Sequence, residues 1–520
     1  MNADGTVAGF PSTVGRVLSR SAARSPGRTA LVFGARTWTY AELDVAVGRV
    51  ASRLLATGLT PGDRVAAYGK NSDAYLALYL GCARAGLVHV PVNFNATGDE
   101  LTYLLTQCDA SVVFVDPVLS AQVDAVEDTL GGLPRAWLQS SPIGDDVLAW
   151  MQDADGAVHV ESGVKDDDLV QLLYTSGTTS RPKGAMMTHR ALVHEYVSCI
   201  VGLELTDRDV ALHSLPLYHS AQMHVFLLPA LAVGATNHLL AAPDVEAVFD
   251  HVEGQDVNAV FLPPTVWVAV ANHPDLERRD LTGLKKAFYG ASIMPVPILQ
   301  RLRGTLPAVG FYNCFGQSEI GPLACVLRPE EHDERPDSCG RPVLFAEVRV
   351  VDEDGNDAAQ GELLYRSPQL CTGYWALPEA TAEAFAGGWF HSGDLVRIDD
   401  EGYLFVVDRI KDVINTGGVL VASREVEEAL YGHPAVGEIA VVGLPHERWI
   451  EAIAAVVVPR DGAAVEPDEL IAYAKQHLAP HKVPKSVHLV DELPKNPSGK
   501  LLKRELRQQF GGAGSAIGRD

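Results

Sequence analysis

Apolar positions along the first half of the chain follow two alternating periods. At helical spacing they fill TYAELDVAVGRVASRLLATGL, which starts at Thr39 and ends near Gly58. Short, continuous apolar runs follow it, among them GDRVAAYG, SVVFVD and DLVQLLYT. Strands that are apolar on both faces and alternate with helices are typical of mainly parallel sheets covered by helices. The pattern therefore predicts an α/β fold built of stacked helix and sheet layers.

The second half of the chain predicts two further units. The segments EVRVVDEDG and GELLYRS indicate a β-rich subdomain. After about residue 409 the pattern becomes self-contained, with helices in REVEEALYGH and DELIAYAKQHL and strands in EIAVVGL and AIAAVVVP. We therefore expect a large N-terminal domain over 1–408, a small α+β domain over 412–510 and a disordered tail over 511–520.

Composition and charge exclude some partners. The 520 residues are 47% hydrophobic and 21% charged, as expected for a globular protein of more than one domain. The formal net charge is -24 and no basic stripe stands out, so we expect no nucleic-acid partner. The most apolar window, VFLLPALAVGATNHLLAAP, is interrupted by Pro229, Gly234, Asn237 and His238. It predicts a buried helix and strand, and no integral membrane segment.

Cysteine usage indicates a reducing compartment. The seven cysteines form no CxxC pair and, being odd in number, no closed set of disulfides. The N-terminal stretch MNADGTVAGFPSTVGRVLSR has no uninterrupted apolar core of signal-peptide length. We therefore expect a cytoplasmic protein with free thiols.

One loop concentrates small polar residues. The predicted strand DLVQLLYT is followed by SGTTSRPKG, in which Gly, Ser and Thr precede Lys183. Backbone N–H groups and hydroxyls in such a loop can hold an anion, and Lys183 adds a positive charge. The residue spacing of a Walker loop is absent. From composition alone, a flexible polar hairpin explains the segment equally well.

The order of residues in this loop is more specific than its composition. YTSGTTSRPKG resembles the phosphate-loop signature of the adenylate-forming superfamily, which includes acyl-CoA synthetases, peptide-synthetase adenylation domains and luciferases. Further segments resemble the superfamily's other motifs and keep their order: LPLYH (215–219), YGAS (289–292), FGQSE (315–319), GELLYRSPQLCTGYW (361–375), WFHSGDL (389–395), DRIKDVINTGG (408–418) and PKNPSGK (494–500). On this resemblance the chain is identified as a member, within the acyl-CoA synthetase branch and similar to fatty-acid–CoA ligases.

The resemblance implies a two-step reaction with ATP, Mg²⁺ and coenzyme A. A carboxylate is a poor acyl donor, because its leaving group would be oxide. Its attack on the α-phosphorus of ATP gives an acyl-adenylate and pyrophosphate, and AMP is then a good leaving group for a thiol. Because an anion must approach a polyanion, catalysis depends on charge neutralisation and positioning.

The resemblance also assigns the nucleotide-binding residues. The phosphates would be held by the loop residues Thr175, Ser176, Gly177, Thr178, Thr179 and Lys183. The adenine site would have two walls, formed by Gly290, Ala291 and Ser292 and by Phe315, Gly316, Gln317 and Ser318. Asp394 would accept hydrogen bonds from both ribose hydroxyls, with Arg409 beside it. Phe315 stands where the family usually has tyrosine, so it keeps the stacking face and loses the hydroxyl.

Metal binding and catalysis fall on four further positions by the same resemblance. A single carboxylate beside a triphosphate suits Mg²⁺, which keeps several waters, and this role falls to Glu319, with Thr175 as a second ligand. Lys500 would reach the α-phosphate and the carboxylate oxygens. A positive charge near the start of a helix is unfavourable because it opposes the helix macrodipole, so a purely structural role does not explain a lysine at this position. His219 would line the acyl tunnel near the carboxylate. Lys411 would serve a hinge at 409–411, about which the small domain rotates between the two half-reactions.

The acceptor and the acid are the least specified features. Gly418 matches the family position at which a side chain would obstruct the pantetheine arm of CoA. The chain also ends soon after Lys500, and this favours a free-standing CoA ligase. A ligase that loads a carrier protein and a silent nucleotide-binding module are the alternatives. The segments expected to line the acyl pocket, 219–226, 263–267 and 289–290, contain no Asp to pair with an amino group and no Arg or Lys to pair with a second carboxylate. An amino-acid substrate and a dicarboxylate such as malonate are therefore disfavoured. A medium- or long-chain fatty acid is therefore expected, with an aryl acid of the benzoate or cinnamate type as the alternative.

Overall fold

The computed structural model describes residues 11–139, 146–161, 163–175, 181–292, 294–460, 462–495 and 501–511. Within these ranges the predicted mixed α/β architecture is confirmed. The α-helices are α1 Gly15–Arg24, α2 Tyr40–Ala56, α3 Asp73–Ala85, α4 Gly98–Gln107, α5 Ser120–Asp124, α6 Val147–Gln152, α7 His189–Gly202, α8 Leu228–Val233, α9 Val245–Gly254, α10 Pro264–Asn272, α11 Val296–Thr305, α12 Pro378–Ala384, α13 Ser423–Tyr431, α14 Pro467–His477 and α15 Lys503–Gly511. A π-helical stretch, Ala221–Leu227, runs directly into α8.

The strands divide among four sheets. In chain order they are β1 Thr29–Phe33, β2 Arg36–Thr39, β3 Arg64–Tyr68, β4 Val88–Val92, β5 Ala110–Val115, β6 Arg135–Trp137, β7 Leu169–Thr175, β8 Lys183–Thr188, β9 Val210–His213, β10 Thr236–Leu239, β11 Ala259–Phe261, β12 Lys286–Gly290, β13 Gly310–Phe315, β14 Cys325–Leu327, β15 Arg341–Pro342, β16 Glu347–Val351, β17 Gln360–Arg366, β18 Phe390–Ile398, β19 Leu404–Arg409, β20 Ile414–Thr416, β21 Val419–Val421, β22 Val436–His446, β23 Ile450–Pro459 and β24 Ser486–Leu489.

Two large sheets form the body of the N-terminal region. One has the order β6-β5-β3-β4-β7-β8 and is parallel except for β8. The other has the order β15-β14-β13-β12-β11-β9-β10-β1-β2, with parallel strands in its centre and antiparallel strands at both edges. Helices α2 and α3 are packed between apolar layers, and α3 is buried along its whole length. This burial explains why the sequence shows continuous apolar runs instead of alternation.

Helix α2, which the sequence pattern predicts most clearly, begins with a complete capping box. Thr39 accepts a hydrogen bond from the backbone N–H of Glu42, and the Glu42 side chain accepts one from the N–H of Thr39. This capping box satisfies two amides that a helix start otherwise leaves unpaired. The predicted helix at Thr39–Gly58 is thus confirmed as α2.

Two smaller sheets follow. The antiparallel sheet β16-β17-β18-β19 is the expected β-rich subdomain. The last sheet, β21-β20-β23-β22 with β24 beside β23, carries α13, α14 and α15 and has its own apolar cluster. A short 3₁₀ turn, Ile410–Asp412, connects β19 to β20. Residues 512–520 of the expected tail lie outside the described residues.

Two further features bear on the sequence analysis. Each of the seven cysteines is buried with a free thiol. Among the described residues, no helix has both the length and the apolar character needed to cross a bilayer. The apolar window around Pro229 forms the π-helical stretch, α8 and β10, as the sequence predicts.

Candidate active site

A cavity of about 1940 Å³ lies where the large sheets, the antiparallel sheet and the C-terminal domain meet. Its wall includes Thr175 at the end of β7, Phe315 at the end of β13 and Asp394 within β18. Ligand sites of α/β proteins form beyond the carboxyl ends of strands, because the following loops diverge there. Segments that are far apart in the sequence therefore converge on one space.

Most of the described residues singled out by the sequence lie on this wall. They are Thr175, Lys183, His219, Ala291, Ser292, Phe315, Gly316, Gln317, Ser318, Glu319, Asp394, Arg409 and Lys411. Gly290 lies between two lining residues, Tyr289 and Ala291, without lining the cavity itself, and Gly418 lies elsewhere. Ser176, Gly177, Thr178, Thr179 and Lys500 fall outside the described residues.

Glu319, the expected metal ligand, lies on the cavity wall. It lies in a 3₁₀ turn, Ser318–Ile320, and its side chain is almost fully buried. Its Oε1 accepts hydrogen bonds from Thr175 Oγ1 at 2.9 Å and from the Tyr374 hydroxyl at 3.2 Å. Burial, helped by the charge of Glu319, raises the pKa of Tyr374, so its hydroxyl stays a donor. A fixed carboxylate with a hydroxyl beside it fits Mg²⁺, which takes oxygen ligands and few protein groups.

Asp394 and Arg409 form a charged pair on neighbouring strands. The antiparallel register of β18 and β19 places them opposite each other. Arg409 Nε lies 2.6 Å from Asp394 Oδ1, and Arg409 Nη1 donates to the Ser392 carbonyl at 3.3 Å. Asp394 is 3% exposed, whereas Arg409 is half-buried. The pair holds a carboxylate at the cavity wall in one orientation, as the binding of two neighbouring hydroxyls requires.

The two segments expected to form the adenine site lie at the ends of the neighbouring strands β12 and β13. Ala291 adopts a positive φ of 64°, an uncommon conformation for a residue with a Cβ. At Gly316 a Cβ would lie 2.0 Å from the Pro322 carbonyl oxygen, so only glycine fits there. The Ser318 hydroxyl lies 2.7 Å from that of Ser220. These contacts fix the backbone next to Phe315, which lines the cavity.

Lys183 starts β8 opposite Thr175. Its ammonium nitrogen lies 5.1 Å from the centre of the Tyr374 ring, within the range of a cation–π contact. The side chain is half-buried on the cavity wall. Lys183 is therefore held against an aromatic ring at the cavity wall.

The C-terminal domain contributes Lys495 and Leu501 to the cavity wall. Lys495 and Leu501, which flank positions 496–500, pair in an isolated antiparallel bridge and both line the cavity. Gly418, at the exposed turn between β20 and β21, does not. The described residues on either side of positions 496–500 therefore lie at the site, whereas the turn assigned to thiol access lies away from it.

One stretch of the cavity wall is apolar and aromatic. Between positions 218 and 268 the wall contains Tyr218, His219, Ser220, Ala221, Val225, Phe226, Phe261, Pro264, Thr265 and Val268, with no Asp, Glu, Lys or Arg. The rings of Phe226 and Phe261 stack with centroids 4.2 Å apart. Behind them, Phe288 lies 5.2 Å from Phe226 and pairs with Phe261 across the sheet.

Sequence reasoning missed three side chains that support this site. Tyr374 lies within the motif segment 361–375, and its partner is Glu319. Glu195 and Gln369 are fully buried and contact each other behind the loop that carries Glu319. A glutamate inside the apolar helical run ALVHEYVSCIVG was the available signal for Glu195, since unpaired burial of a carboxylate is costly.

Fold and site together define an adenylate-forming ligase. The chain belongs to the AMP-binding enzyme family: the model of the AMP-binding enzyme matches residues 18–375, and that of the AMP-binding enzyme C-terminal domain matches residues 425–500. It falls in the CoA synthetase branch, an AMP-forming class of acid–thiol ligases that use ATP and CoA.

Known proteins resemble the chain along almost its whole length. A feruloyl-CoA synthase from Amycolatopsis sp is 40% identical over 497 residues, covering 95% of this chain and 98% of the relative. An indoleacetate–CoA ligase from Aromatoleum aromaticum is 35% identical, covering 94% and 97%. The crystal structure of ATP-bound MatB from Rhodopseudomonas palustris superposes with a TM-score of 0.88 at 30% identity, covering 97% and 99%.

Proposed function

We propose that this protein joins an aromatic carboxylic acid to coenzyme A through an acyl-adenylate. The observation that carries the choice of acid is the uncharged, ring-lined part of the cavity between Tyr218 and Val268. Ring stacking and apolar contact suit a rigid aryl body there. The similarity to a feruloyl-CoA synthase and to an indoleacetate–CoA ligase supports the same class.

The first half-reaction uses the polar wall. An oxygen of the acid attacks the α-phosphorus of ATP, and the bond from that phosphorus to the bridging oxygen of pyrophosphate breaks. Asp394 holds the ribose, Arg409 holds Asp394, and Lys183 faces the phosphates. Lys500 neutralises charge where the two anions meet, which is where electrostatic stabilisation contributes most. Mg²⁺ at Glu319 and Thr175 would supply further neutralisation of the phosphates.

The second half-reaction needs a different face of the C-terminal domain. The CoA sulfur attacks the acyl carbon, the bond from carbon to the phosphate oxygen breaks, and AMP leaves. Rotation at 409–411 would withdraw the Lys500 segment and bring the turn at Gly418 to the site. Around that turn Val419, Leu420 and Ile450 are exposed and apolar. Such a surface suits the pantetheine arm.

A pyrophosphate-exchange panel tests the proposal. Wild-type protein is assayed with ferulate, cinnamate, benzoate and indoleacetate, and with octanoate and palmitate for the fatty-acid expectation. The second step is then run with CoA and, separately, with a holo-carrier protein. We expect exchange with at least one aryl acid and thioester formation with CoA.

Three outcomes contradict this proposal at different levels. If pyrophosphate exchange occurs only with fatty acids, the substrate is a fatty acid, as the sequence analysis expects, and not an aryl acid. Thioester formation only on the carrier protein would replace CoA as acceptor. No exchange with any acid would leave a nucleotide-binding module without ligase activity.

A further inference from the structure

Three polar side chains lie behind Glu319, outside the cavity. Glu195 and Ser198 project from α7, and Gln369 lies in the segment between β17 and β18. Each is 0% exposed, and none lines the cavity. We call these three residues the buried clamp, and we call residues 319–323 the glutamate loop.

Gln369 binds the backbone of the glutamate loop. Its Nε2 donates to the Ile320 carbonyl at 3.3 Å and to the Leu323 carbonyl at 3.1 Å. The Ser198 hydroxyl donates to Gln369 Oε1 at 2.6 Å, which fixes which side of the amide faces the loop. Because an amide nitrogen can only donate, this orientation is needed for both carbonyl contacts.

Glu195 holds the same loop from the helix side. Its Oε1 accepts the Leu323 N–H at 2.8 Å, and its Oε2 accepts from Gln369 Nε2. At Gly321, where φ is 111°, an added Cβ would lie 2.9 Å from Glu195 Oε2. The loop therefore lies directly on the carboxylate, and any side chain at position 321 would separate them.

The clamp reaches Glu319 through the backbone. Two residues after Gln369, the Cys371 N–H donates to the Glu319 carbonyl at 2.8 Å. Three further residues along, Tyr374 donates to the Glu319 carboxylate. One short segment, 369–374, thus fixes the Glu319 carbonyl, the backbone that follows it and one oxygen of its side chain.

The buried clamp could either stabilise the fold or position the glutamate loop, and its contacts distinguish these two roles. Buried polar groups rarely stabilise a fold more than well-packed apolar groups of the same volume. Here three hydrogen bonds of the clamp end on the backbone of the glutamate loop and two more join the clamp residues to one another, so what they add is the position of that loop. We propose that Glu195, Ser198 and Gln369 are positioning residues that set the place of Glu319 for the metal-bound nucleotide. This inference rests on the proposed function, in which Glu319 is the metal ligand.

The test combines a binding measurement with a kinetic one. Affinity for Mn²⁺ is measured by electron paramagnetic resonance in the presence of α,β-methylene-ATP, and the Mg²⁺ dependence of pyrophosphate exchange is measured in parallel. Gln369→Met keeps the volume and removes both donors. Residues that orient a metal ligand typically contribute about 10- to 100-fold to metal affinity, and we expect a loss of that size with the KM for the acid nearly unchanged.

A matched control separates positioning from stability. Tyr196→Phe removes a buried hydroxyl from the same helix, but that hydroxyl meets His224 Nδ1 at 3.0 Å and not the glutamate loop. We expect it to lower the melting temperature without changing Mn²⁺ affinity. Should Gln369→Met fail to fold, Ser198→Ala provides the same comparison, with a smaller loss of about fivefold, the value of one hydrogen bond.

Mn²⁺ affinity and melting temperature together distinguish a positioning role from a purely stabilising one. Selective loss of Mn²⁺ affinity in Gln369→Met or Ser198→Ala supports the inference. It is overturned if the variants match Tyr196→Phe, with lower melting temperatures but unchanged Mn²⁺ affinity. Wild-type protein that binds Mn²⁺ with the analogue yet exchanges pyrophosphate with no acid would contradict the proposed function and leave the clamp's role supported by the binding data.

Discussion

The polar and apolar halves of the cavity are specified in different ways. On the nucleotide side, Glu319 and Asp394 each have named hydrogen-bond or ion-pair partners at fixed distances. On the acyl side, Phe226 and Phe261 meet through ring contact alone. Charged groups near a buried site need exact partners, because unpaired burial is costly. Apolar groups need only the right volume, and several residues can supply it.

This difference predicts how substitutions act. Changes on the polar wall should reduce catalysis with every acid, because all acids share ATP. Changes on the apolar wall should alter which acid is used and leave the nucleotide chemistry intact. The following experiments test that division.

Lys500→Ala should give the largest effect. Removing one preorganised group that stabilises transition-state charge typically costs about 10²- to 10³-fold, and we expect pyrophosphate exchange to fall by that factor with every acid. Thioester formation from chemically prepared acyl-adenylate should be almost unchanged. Lys495→Ala is the control, since that lysine lines the same cavity but is paired with Glu438 at 2.6 Å. Equal loss in both half-reactions would contradict the role of Lys500.

Asp394→Asn should weaken ATP binding next. The variant loses the charge that pairs with Arg409, and hydrogen bonds to charged groups contribute about 10- to 100-fold each. We expect the KM for ATP to rise within that range, equally for every acid, in steady-state exchange assays. Asp399→Asn, on the same hairpin but paired with Arg335, should leave the KM for ATP unchanged. A change of acid preference in Asp394→Asn would break the division between the two walls.

Phe226→Ala should change the acid and not the nucleotide. Removing the ring enlarges the cavity at its apolar wall, so longer acids should gain and compact aryl acids should lose, by about tenfold in relative kcat/KM. The KM for ATP should stay constant. Truncating a buried phenylalanine also costs about 3–5 kcal/mol of stability, so Phe249→Ala, in another apolar cluster, controls for that loss. An unchanged acid profile in Phe226→Ala would show that this ring does not set the cavity's length.

Acidification should weaken the packing around the acyl side. Burial lowers the pKa of both His89 and His224 to about 3, and His224 lies in the helical stretch that carries Phe226. Their pKa in the folded protein, about 3, lies below the ordinary histidine value near 6.5. Between pH 6.5 and pH 3 the unfolded chain therefore binds more protons than the folded protein, and the free energy of unfolding decreases as the pH falls through this range. At pH 5 we expect a loss of about 2 kcal/mol per histidine.

Urea unfolding at pH 7.5 and pH 5.0 measures this loss. His224→Gln removes one titrating ring, so the difference between the two pH values should shrink in that variant. An undiminished difference would assign the acid sensitivity to other groups.

The same contrast explains how much the sequence reveals. The layered fold follows from periodicity, as α2 and β7 show, because buried strands and amphipathic helices have different apolar spacings. The polar residues Glu319 and Asp394 were found because they lie in segments whose residue order is highly specific. Glu319 reaches the cavity from the turn after β13 and Asp394 from within β18, and their catalytic roles stay predictions.

Other features depend on contacts that sequence order does not reveal. Glu195 and Gln369 are 174 positions apart and belong to no shared pattern. The stack of Phe226 on Phe261 looks in the sequence like any other apolar pair. The fatty-acid expectation rested on such apolar residues, and it stays unconfirmed, whereas the similarity to aryl-CoA ligases supports the aryl alternative.

The central claim is that the polar wall brings the carboxylate of the acid to the α-phosphorus of ATP. Isotope transfer measures this directly: the acid is labelled with ¹⁸O in its carboxylate, turned over with ATP and CoA, and the AMP is analysed by mass spectrometry. The account predicts that one labelled oxygen appears in the AMP and none in the pyrophosphate. Unlabelled AMP, or label in pyrophosphate or free phosphate, would contradict it.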